Sequence, residues 1–198
     1  MVGRLITILL LAGSCSWAQH ISVGIAGGVP FTGGIADFTT TNALSDEVSH
    51  SFSNSNEFII GPTLEIRLPF SLAIEADALY RPISVATNVT VGSVTVQSSS
   101  NYSSWEFPVL GKYRFPLPIV SPYVEAGPSF RAKGSSIGYF SSDGFTLGGG
   151  VELKLLRLRI APEVRYTHWG SDSVPPINAS FFAPSQQNQA EFLVGISF

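Results

Sequence analysis

The sequence predicts an all-β fold, an eight-stranded antiparallel up-and-down transmembrane β-barrel, and three features support it. Apolar and polar residues alternate with a period of two through eight segments, which is the pattern of strands with one apolar face. Short and long connections alternate between these segments. Each segment is nine to twelve residues long. This matches the roughly 9 to 11 residues of a tilted membrane-spanning strand and exceeds the roughly five or six residues typical of soluble strands.

The N-terminal residues are expected to be a targeting segment that is not part of the fold. Arg4 gives a short positive region, an apolar stretch follows it, and a small-x-small cleavage signal ends at Ala18. We therefore predict a signal peptide over residues 1–18 and a single barrel domain over residues 19–198. An alternative stays open in which Cys15 is lipidated, because the residues before it loosely resemble a lipobox.

The composition of the remaining chain argues against several other classes of protein. No cysteine follows the predicted signal peptide, so disulfides and thiolate metal sites are not available to stabilise the fold. One long uncharged stretch, Ile21–Ala36, contains five glycines and Pro30, which disfavour a membrane-spanning helix. Only 13% of the residues are charged and the net charge is −3, so the chain does not have the character of a nucleic-acid binder.

The alternation is clearest in the third segment, where Ile74 and Tyr80 belong to an apolar face and Glu75 and Arg81 to a charged face. The same pattern recurs along the chain. In chain order the eight predicted strands are Ile21–Val29, Glu57–Leu68, Leu72–Arg81, Trp105–Phe115, Tyr123–Arg131, Phe145–Leu155, Leu158–His168 and Gln189–Phe198.

The connections between the predicted strands fall into two groups. The short ones are residues 69–71, 116–122 and 156–157, and the long ones are residues 30–56, 82–104, 132–144 and 169–188. Short turns on one side and long polar loops on the other are typical of outer-membrane barrels, whose turns are periplasmic and whose loops are extracellular. We therefore expect both termini to lie on the periplasmic side.

The charged face is expected to line the inside of the barrel. Nine acidic and eight basic residues nearly balance on it, and small residues such as Gly61 and Gly148 accompany them, which suits a narrow lumen filled by side chains. The pairing of these charges would close the tube, so an open channel is not expected. The predicted lumen charge network is Glu65, Arg67, Glu75, Asp77, Arg81, Glu106, Lys112, Arg114, Glu125, Arg131, Glu152, Lys154, Arg159, Glu163 and Arg165. A soluble or lipoprotein barrel that encloses an apolar ligand is the alternative, since its strands would also alternate.

Aromatic residues near the ends of the strands are expected to form girdles at the two membrane interfaces, and the alternative is that they are ordinary core residues. They are Tyr80, Trp105, Tyr113, Phe115, Phe130, Phe145, Tyr166 and Trp169.

The C-terminal segment resembles the assembly signal of outer-membrane barrels, with the alternating apolar residues Phe192, Val194, Ile196 and Phe198. Together with the phrases Trp105–Phe115 and Pro122–Pro128, it makes the chain similar to the OmpA/OmpX-like outer membrane β-barrel families over its whole mature length. The resemblance implies a location in the bacterial outer membrane, contact with outer-membrane lipid and insertion by the barrel-assembly machinery.

No catalytic, cofactor or metal site is predicted. His20, His50 and His168 are scattered and have no metal-ligand spacing. Glu163, His168 and Ser171 resemble the acid, histidine and serine of lipid A deacylases, but in that motif the serine follows the histidine by two residues. The main prediction is that the protein is not an enzyme, and an outer-membrane lipid-modifying enzyme is the alternative.

The long loops indicate a role at the cell surface. Val85–Val96 has the pattern of an extended hairpin around Gly92-Ser93, and an exposed β-edge can recruit a partner by strand addition. A flexible polar loop is the alternative. We predict an integral outer-membrane protein with a structural or surface-interaction, adhesion-like role, whose extracellular partner binds the long loops and which binds no nucleic acid.

Overall fold

The structure, a computed structural model, describes residues 21–33, 38–42, 47–53, 58–132, 141–155, 158–171 and 186–198. The predicted signal peptide and Cys15 lie outside these residues. Within the described ranges, no helix has the length and apolar character needed to cross a membrane. The strands are β1 (Ile21–Pro30), β2 (Phe38–Asn42), β3 (Glu47–Ser53), β4 (Ile59–Arg67), β5 (Leu72–Asp77), β6 (Leu79–Val91), β7 (Val94–Arg114), β8 (Val120–Ala132), β9 (Asp143–Leu155), β10 (Leu158–Trp169) and β11 (Asn188–Ser197).

The strands form one antiparallel sheet that closes on itself. β1 pairs with β11 on one side and with β4 on the other, and the other barrel strands follow one another round the barrel in chain order. β5 and β6 occupy a single position in the barrel and are separated only at Ala78, so the closed barrel has eight strands. The predicted all-β, eight-stranded antiparallel up-and-down barrel is confirmed.

Three prolines on the outer face interrupt the ladder without changing its register. The residue pairs before and after Pro62, between β4 and the neighbouring β5 and β6, have the same register. The same holds for the pairs around Pro128, between β7 and β8, and around Pro162, between β9 and β10. Ala78 still donates its N–H to the carbonyl oxygen of Pro62 at 3.0 Å, but proline has no N–H to return. Each proline therefore removes a hydrogen bond and inserts no bulge.

One end of the barrel, which we call the turn end, carries the first described residue, Ile21, the C-terminal residue Phe198, and the connections from β4 to β5 and from β7 to β8. Phe70 and Ser71 have φ angles of 64° and 63°, and left-handed values at two consecutive residues define a tight two-residue hairpin turn. The N–H of Phe198 donates to the carbonyl oxygen of Val23 at 3.2 Å, which fixes the C-terminus beside the first strand. The long connections start from the opposite end, which we call the loop end.

β6 and β7 continue far beyond the barrel at the loop end. They pair without interruption from Leu79 and Glu106 to Val91 and Val94, and a two-residue turn with Gly92 at a φ of 58° joins them. β3 pairs with the outer part of β6, and β2 pairs with β3. We call this four-stranded extension the projecting sheet. The hairpin predicted around Gly92 is confirmed, whereas β2 and β3 were not predicted.

The outer face of the barrel is apolar from one end to the other. Ile60 and Ile74 are 48% and 44% exposed on it, and on β7 the outward apolar residues run from Trp105 to Phe115. Ten residues of strand span about 33 Å, or about 25 Å of membrane depth at the usual tilt, which is the height of the apolar band on outer-membrane barrels. This arrangement is the opposite of a soluble barrel that encloses an apolar ligand.

Candidate functional site

The interior of the barrel is filled by charged side chains, because alternate residues of each strand point inward. Most of the predicted lumen residues are buried there: Glu65, Glu75, Asp77, Arg81, Glu106, Lys112, Arg114, Glu125, Arg131, Glu152, Glu163 and Arg165. Glu191 is buried with them. It is one of the nine acids expected on the inner face, but it was left out of the predicted network.

The remaining predicted lumen residues lie at the mouth of the barrel at the turn end. Arg67 and Arg159 are half-buried, and Lys154 is exposed. The prediction that Lys154 belongs to the closed interior is therefore wrong. Its position is inward by alternation, but it lies one residue from the end of β9, where the lumen opens to solvent.

Arg165 is at the centre of the interior and is 1% exposed. Its guanidinium donates to four carboxylates, those of Glu75 at 2.6 Å, Asp77 at 2.6 Å, Glu125 at 2.8 Å and Glu163 at 2.8 Å. The planar guanidinium suits this role, because its five N–H groups are fixed in a fork that can serve several carboxylates at once.

Lys112 is the second cation at this level. Its ammonium lies 2.5 Å from a carboxylate oxygen of Glu75 and 3.2 Å from one of Glu125. It also lies 4.3 Å from the ring centroid of Tyr123, whose hydroxyl donates to Glu163 at 2.5 Å. The central cluster consists of Glu75, Asp77, Lys112, Tyr123, Glu125, Glu163 and Arg165.

Two arginines and two glutamates form a second layer nearer the turn end. Arg67 donates to Glu65 at 2.9 Å and to Glu152 at 3.0 Å. Arg114 donates to the same two carboxylates, at 3.1 Å in the case of Glu152. The four charges balance, which offsets much of the cost of holding them away from water.

Trp169 closes the interior at the loop end. It is 1% exposed, its indole N–H donates to Gln189 at 2.7 Å, and the guanidinium of Arg131 lies 3.9 Å from its ring centroid. Arg131 also bonds to Glu106 at 3.3 Å. The prediction of Trp169 as a membrane-interface residue is therefore wrong. Counting by two from Arg165 along the same strand places Trp169 on the inner face, and this signal was available in the sequence.

Polar and apolar contacts fill the space between these layers. A chain of hydroxyls joins three neighbouring strands, with Ser129 2.6 Å from Thr146 and Thr146 2.7 Å from Thr167. Ala26, Ile59, Leu79 and Leu193 form an apolar cluster on the opposite wall.

The described part of the interior contains at least two small cavities. One of about 30 Å³ is lined by residues of the turn-end layer and the central cluster, and one of about 10 Å³ lies beside Trp169. Such volumes hold about one or two water molecules. Arg165 lines the second cavity, so the central cluster lies between the two spaces.

Three carboxylates of the central cluster, from Glu75, Glu125 and Glu163, lie within 4.8 Å of one another, which is close enough to share a metal ion. Lys112 and Arg165 already bond to these carboxylates. The two side-chain cations therefore neutralise the carboxylates in place of a metal ion, and we assign no metal site.

The residues that resemble a deacylase motif are not brought together. Glu163 points into the lumen and is 4% exposed, whereas His168 lies on the outer face, where its Nδ1 is 2.8 Å from the side-chain oxygen of Asn188. The five positions between Glu163 and His168 place them on opposite faces of β10, so they do not form an acid and histidine pair. Ser171 is exposed beyond the end of the strand.

The predicted assembly signal lies on the outer face of β11. Phe192 is 36%, Ile196 43% and Phe198 72% exposed, and Val194 lies between them on the same face. These side chains are available to lipid or to a protein that binds the last strand.

The projecting sheet has a free edge along the outer part of β7. In a hairpin with a two-residue turn, the two residues that flank the turn form backbone hydrogen bonds to each other. Here these are Val91 and Val94, so Val94 and every second residue after it form backbone hydrogen bonds to β6. The alternate residues Thr95, Gln97, Ser99, Asn101 and Ser103 direct their N–H and C=O groups away from β6. Among the described residues, β8 pairs with β7 only from Trp105 onward. We call residues 95–103 the free edge.

Comparison with known proteins finds similarity of structure alone. No family model matches the chain, and no curated protein matches it. The outer membrane protein OprG from Pseudomonas aeruginosa aligns with a TM-score of 0.49 at 15% identity, over 89% of this chain and 91% of OprG. The transport unit of the autotransporter AIDA-I from Escherichia coli aligns with a TM-score of 0.34 at 11% identity, over 91% and 90% of the two chains. The resemblance to the OmpA/OmpX-like families therefore stays a prediction.

Proposed function

We propose that the protein is an integral barrel of the bacterial outer membrane, with a structural and surface-interaction role that its projecting sheet performs. The single observation that carries the proposal is the sidedness of the barrel, with an apolar outer face about 25 Å high and a charged interior. A closed barrel has no unpaired strand edge, so its backbone groups bond between strands except where a proline lacks an N–H, and this is what a hydrocarbon environment requires of a β structure.

The partners that this proposal requires are lipid and an assembly factor. The outer face offers apolar and aromatic side chains to lipid along every barrel strand. The outward residues Phe192, Ile196 and Phe198 support recognition by the barrel-assembly machinery, because they remain accessible on the last strand.

The interior supports a structural role over transport and over catalysis. Arg165 and its four carboxylates block the middle of the tube, and Trp169 covers its loop end. Most polar groups of the central cluster bond to one another, and Glu75, Asp77, Lys112, Glu125, Glu163 and Arg165 are all buried.

The location can be tested by fractionation of the full-length chain expressed in a Gram-negative host. We expect the protein in the outer-membrane fraction after carbonate washing, and we expect its gel mobility to differ with and without boiling. Release by carbonate, or one mobility under both conditions, would contradict a membrane-spanning barrel.

The role of the free edge can be tested by residue-resolved amide hydrogen exchange on the folded protein in single nanodiscs, at a concentration at which the discs do not pair. The amides of Val96, Ser98 and Ser100 bond to β6 and are expected to exchange slowly. The amides of Gln97 and Ser99 have no partner strand among the described residues and are expected to exchange fast. Equal protection of both sets would mean that the edge is covered, and the surface-interaction role would then lose its site.

A further inference from the structure

The free edge lacks the features by which edge strands usually avoid pairing. Residues 94–103 contain no charged residue and no proline, whereas exposed edges are commonly protected by lysine, proline or a bulge. The pairing with β6 has one register over the whole segment, so no bulge turns the edge away from a partner. The edge therefore offers a regular and uncharged template to another strand.

Two copies of this edge are compatible with each other in an antiparallel pair. In a pair centred on Ser98, Val94 faces Tyr102 and Val96 faces Ser100, so a β-branched residue meets an aromatic one at both ends. No like charges face each other in this pair, because the segment contains no charged residue. The residues whose N–H and C=O groups point away from β6 are odd-numbered, and in this register they face one another, which gives about eight hydrogen bonds.

The membrane determines how two copies can approach. Two barrels in one membrane are related by a two-fold axis along the membrane normal. This axis leaves both β7 strands running in the same sense, so an antiparallel ladder cannot form. Two barrels in facing membranes are related by an axis that lies between the membranes and parallel to them. This axis reverses one strand, and the antiparallel ladder becomes possible.

The hairpin is long enough to meet its copy beyond the lipid surface. From Ser104 to Val94, β7 covers ten residue steps outside the barrel, or about 33 Å along the strand. β6 backs this whole length of β7, and β3 pairs with β6 opposite its outer part, Val94–Ser100, so that part of the edge is presented by a sheet of at least three strands.

We propose that the free edge pairs antiparallel with the same edge of a second copy in a facing membrane, so that the protein joins two membranes. This inference rests on the proposed function and names the partner of its surface site. A single pair of edges is a small contact, and many copies on each membrane would strengthen the junction through multivalency.

The test uses the protein as single barrels in nanodiscs of zwitterionic lipid, since both faces of a nanodisc are accessible. Sedimentation velocity over a concentration series is expected to detect reversible pairs of wild-type discs. Electron microscopy is expected to show the pairs stacked face to face, and pairs joined side by side would overturn the inference.

Replacing Ser98 and Ser100 by charged residues makes the test specific for the edge. The double variants S98K/S100K and S98E/S100E are each expected to pair about tenfold or more weakly than the wild type, because like charges face each other. An equimolar mixture of the two is expected to restore pairing. Heat-dependent gel mobility equal to that of the wild type serves as the folding control.

The outcomes separate this inference from the proposed function. Wild-type discs that stay single, a lysine variant that pairs as tightly as the wild type, or a mixture without recovery would each overturn pairing between copies. If pairing between copies fails but amide exchange shows that the edge is free in the same discs, the proposed surface site remains and only the pairing with a second copy is wrong. If the odd-numbered amides are protected in single discs, both proposals fail.

Discussion

Arg165 is the residue on which the interior depends most. It holds four buried carboxylates in the middle of the lumen, and three of them come from strands other than its own, one on β8 and two on β5. Removing one partner of a buried ion pair leaves charge without compensation, at a typical cost of about 3–5 kcal/mol. The central cluster thus ties several strands together through a single side chain.

Arg165→Met is expected to lower the free energy of unfolding by about 3–5 kcal/mol, because the carboxylates lose their central cation. Urea unfolding in lipid or detergent, followed by heat-dependent gel mobility, measures the change. Arg159→Met on the same strand is the matched control, since half-buried Arg159 has one described hydrogen bond, to Ser22 at 3.2 Å. Equal effects of the two substitutions would contradict the central role of Arg165.

Gly61 is a position where only a hydrogen atom fits. A Cβ there would overlap the carbonyl oxygen of Ala78 and lie 2.9 Å from the Cα of Leu79. The close approach occurs next to Pro62, whose missing N–H interrupts the ladder between the two strands. The proline on the outer face and the glycine on the inner face therefore belong to one local arrangement.

Gly61→Ala is expected to destabilise the barrel by about 1–3 kcal/mol, the usual cost of forcing extra volume into a packed site. Gly27→Ala is the control, because a Cβ there would have its nearest neighbour, the carbonyl oxygen of Ile59, at 3.7 Å. The midpoints of urea unfolding of the two variants give the comparison. A midpoint for Gly61→Ala equal to that of Gly27→Ala would show that the strands have room to separate here.

At the scale of single strands, alternation predicts the barrel well because each strand has one apolar and one charged face. β4 and β10 begin and end within two residues of the predicted segments. β2 and β3 could not be predicted in the same way, since they contain few apolar residues, Phe38 in β2 and Val48 and Phe52 in β3. They form because β6 offers an edge above the barrel with which β3 can pair.

The members of the lumen could be predicted from alternation, but their partners could not. Arg165 bonds to Glu75, which lies 90 residues away in sequence, and Arg67 bonds to Glu152, which lies 85 residues away. Such pairs depend on the register of every intervening strand and on the diameter of the closed barrel. The burial of Trp169 was missed for a different reason, because an aromatic residue near a strand end resembles a girdle residue.

Leu64→Arg tests the outer face of β4. Leu64 lies between Val23 and Ala76 near the middle of the apolar band and is 42% exposed. Arginine at the middle of the bilayer costs an outer-membrane barrel about 2–4 kcal/mol. Folding into vesicles, measured as the fraction of the heat-sensitive band, is expected to fall accordingly.

Val91→Arg is the control for this substitution, because Val91 is 49% exposed at the tip of the projecting sheet. A surface change of this kind usually alters stability by less than about 0.5 kcal/mol. Similar losses for Leu64→Arg and Val91→Arg would mean that Leu64 does not face lipid.

For the molecule as a whole, the proposed location and role depend on which face of the barrel meets lipid. Apolar side chains outside, a charged and closed interior, and a sheet beyond the loop end together describe a barrel that spans a membrane and acts at its surface. The two tryptophans that follow the predicted signal peptide lie on opposite sides of this division, with Trp105 43% exposed on the outer face and Trp169 1% exposed inside.

The most direct measurement is the quenching of these two tryptophans by brominated lipids, with Trp17 replaced by phenylalanine in all variants. Trp169→Phe leaves Trp105 as the emitter, and its fluorescence is expected to be strongly quenched. Trp105→Phe leaves Trp169, whose fluorescence is expected to change little, because the barrel wall separates it from lipid. Quenching of Trp169 as strong as that of Trp105 would contradict the sidedness on which the account depends.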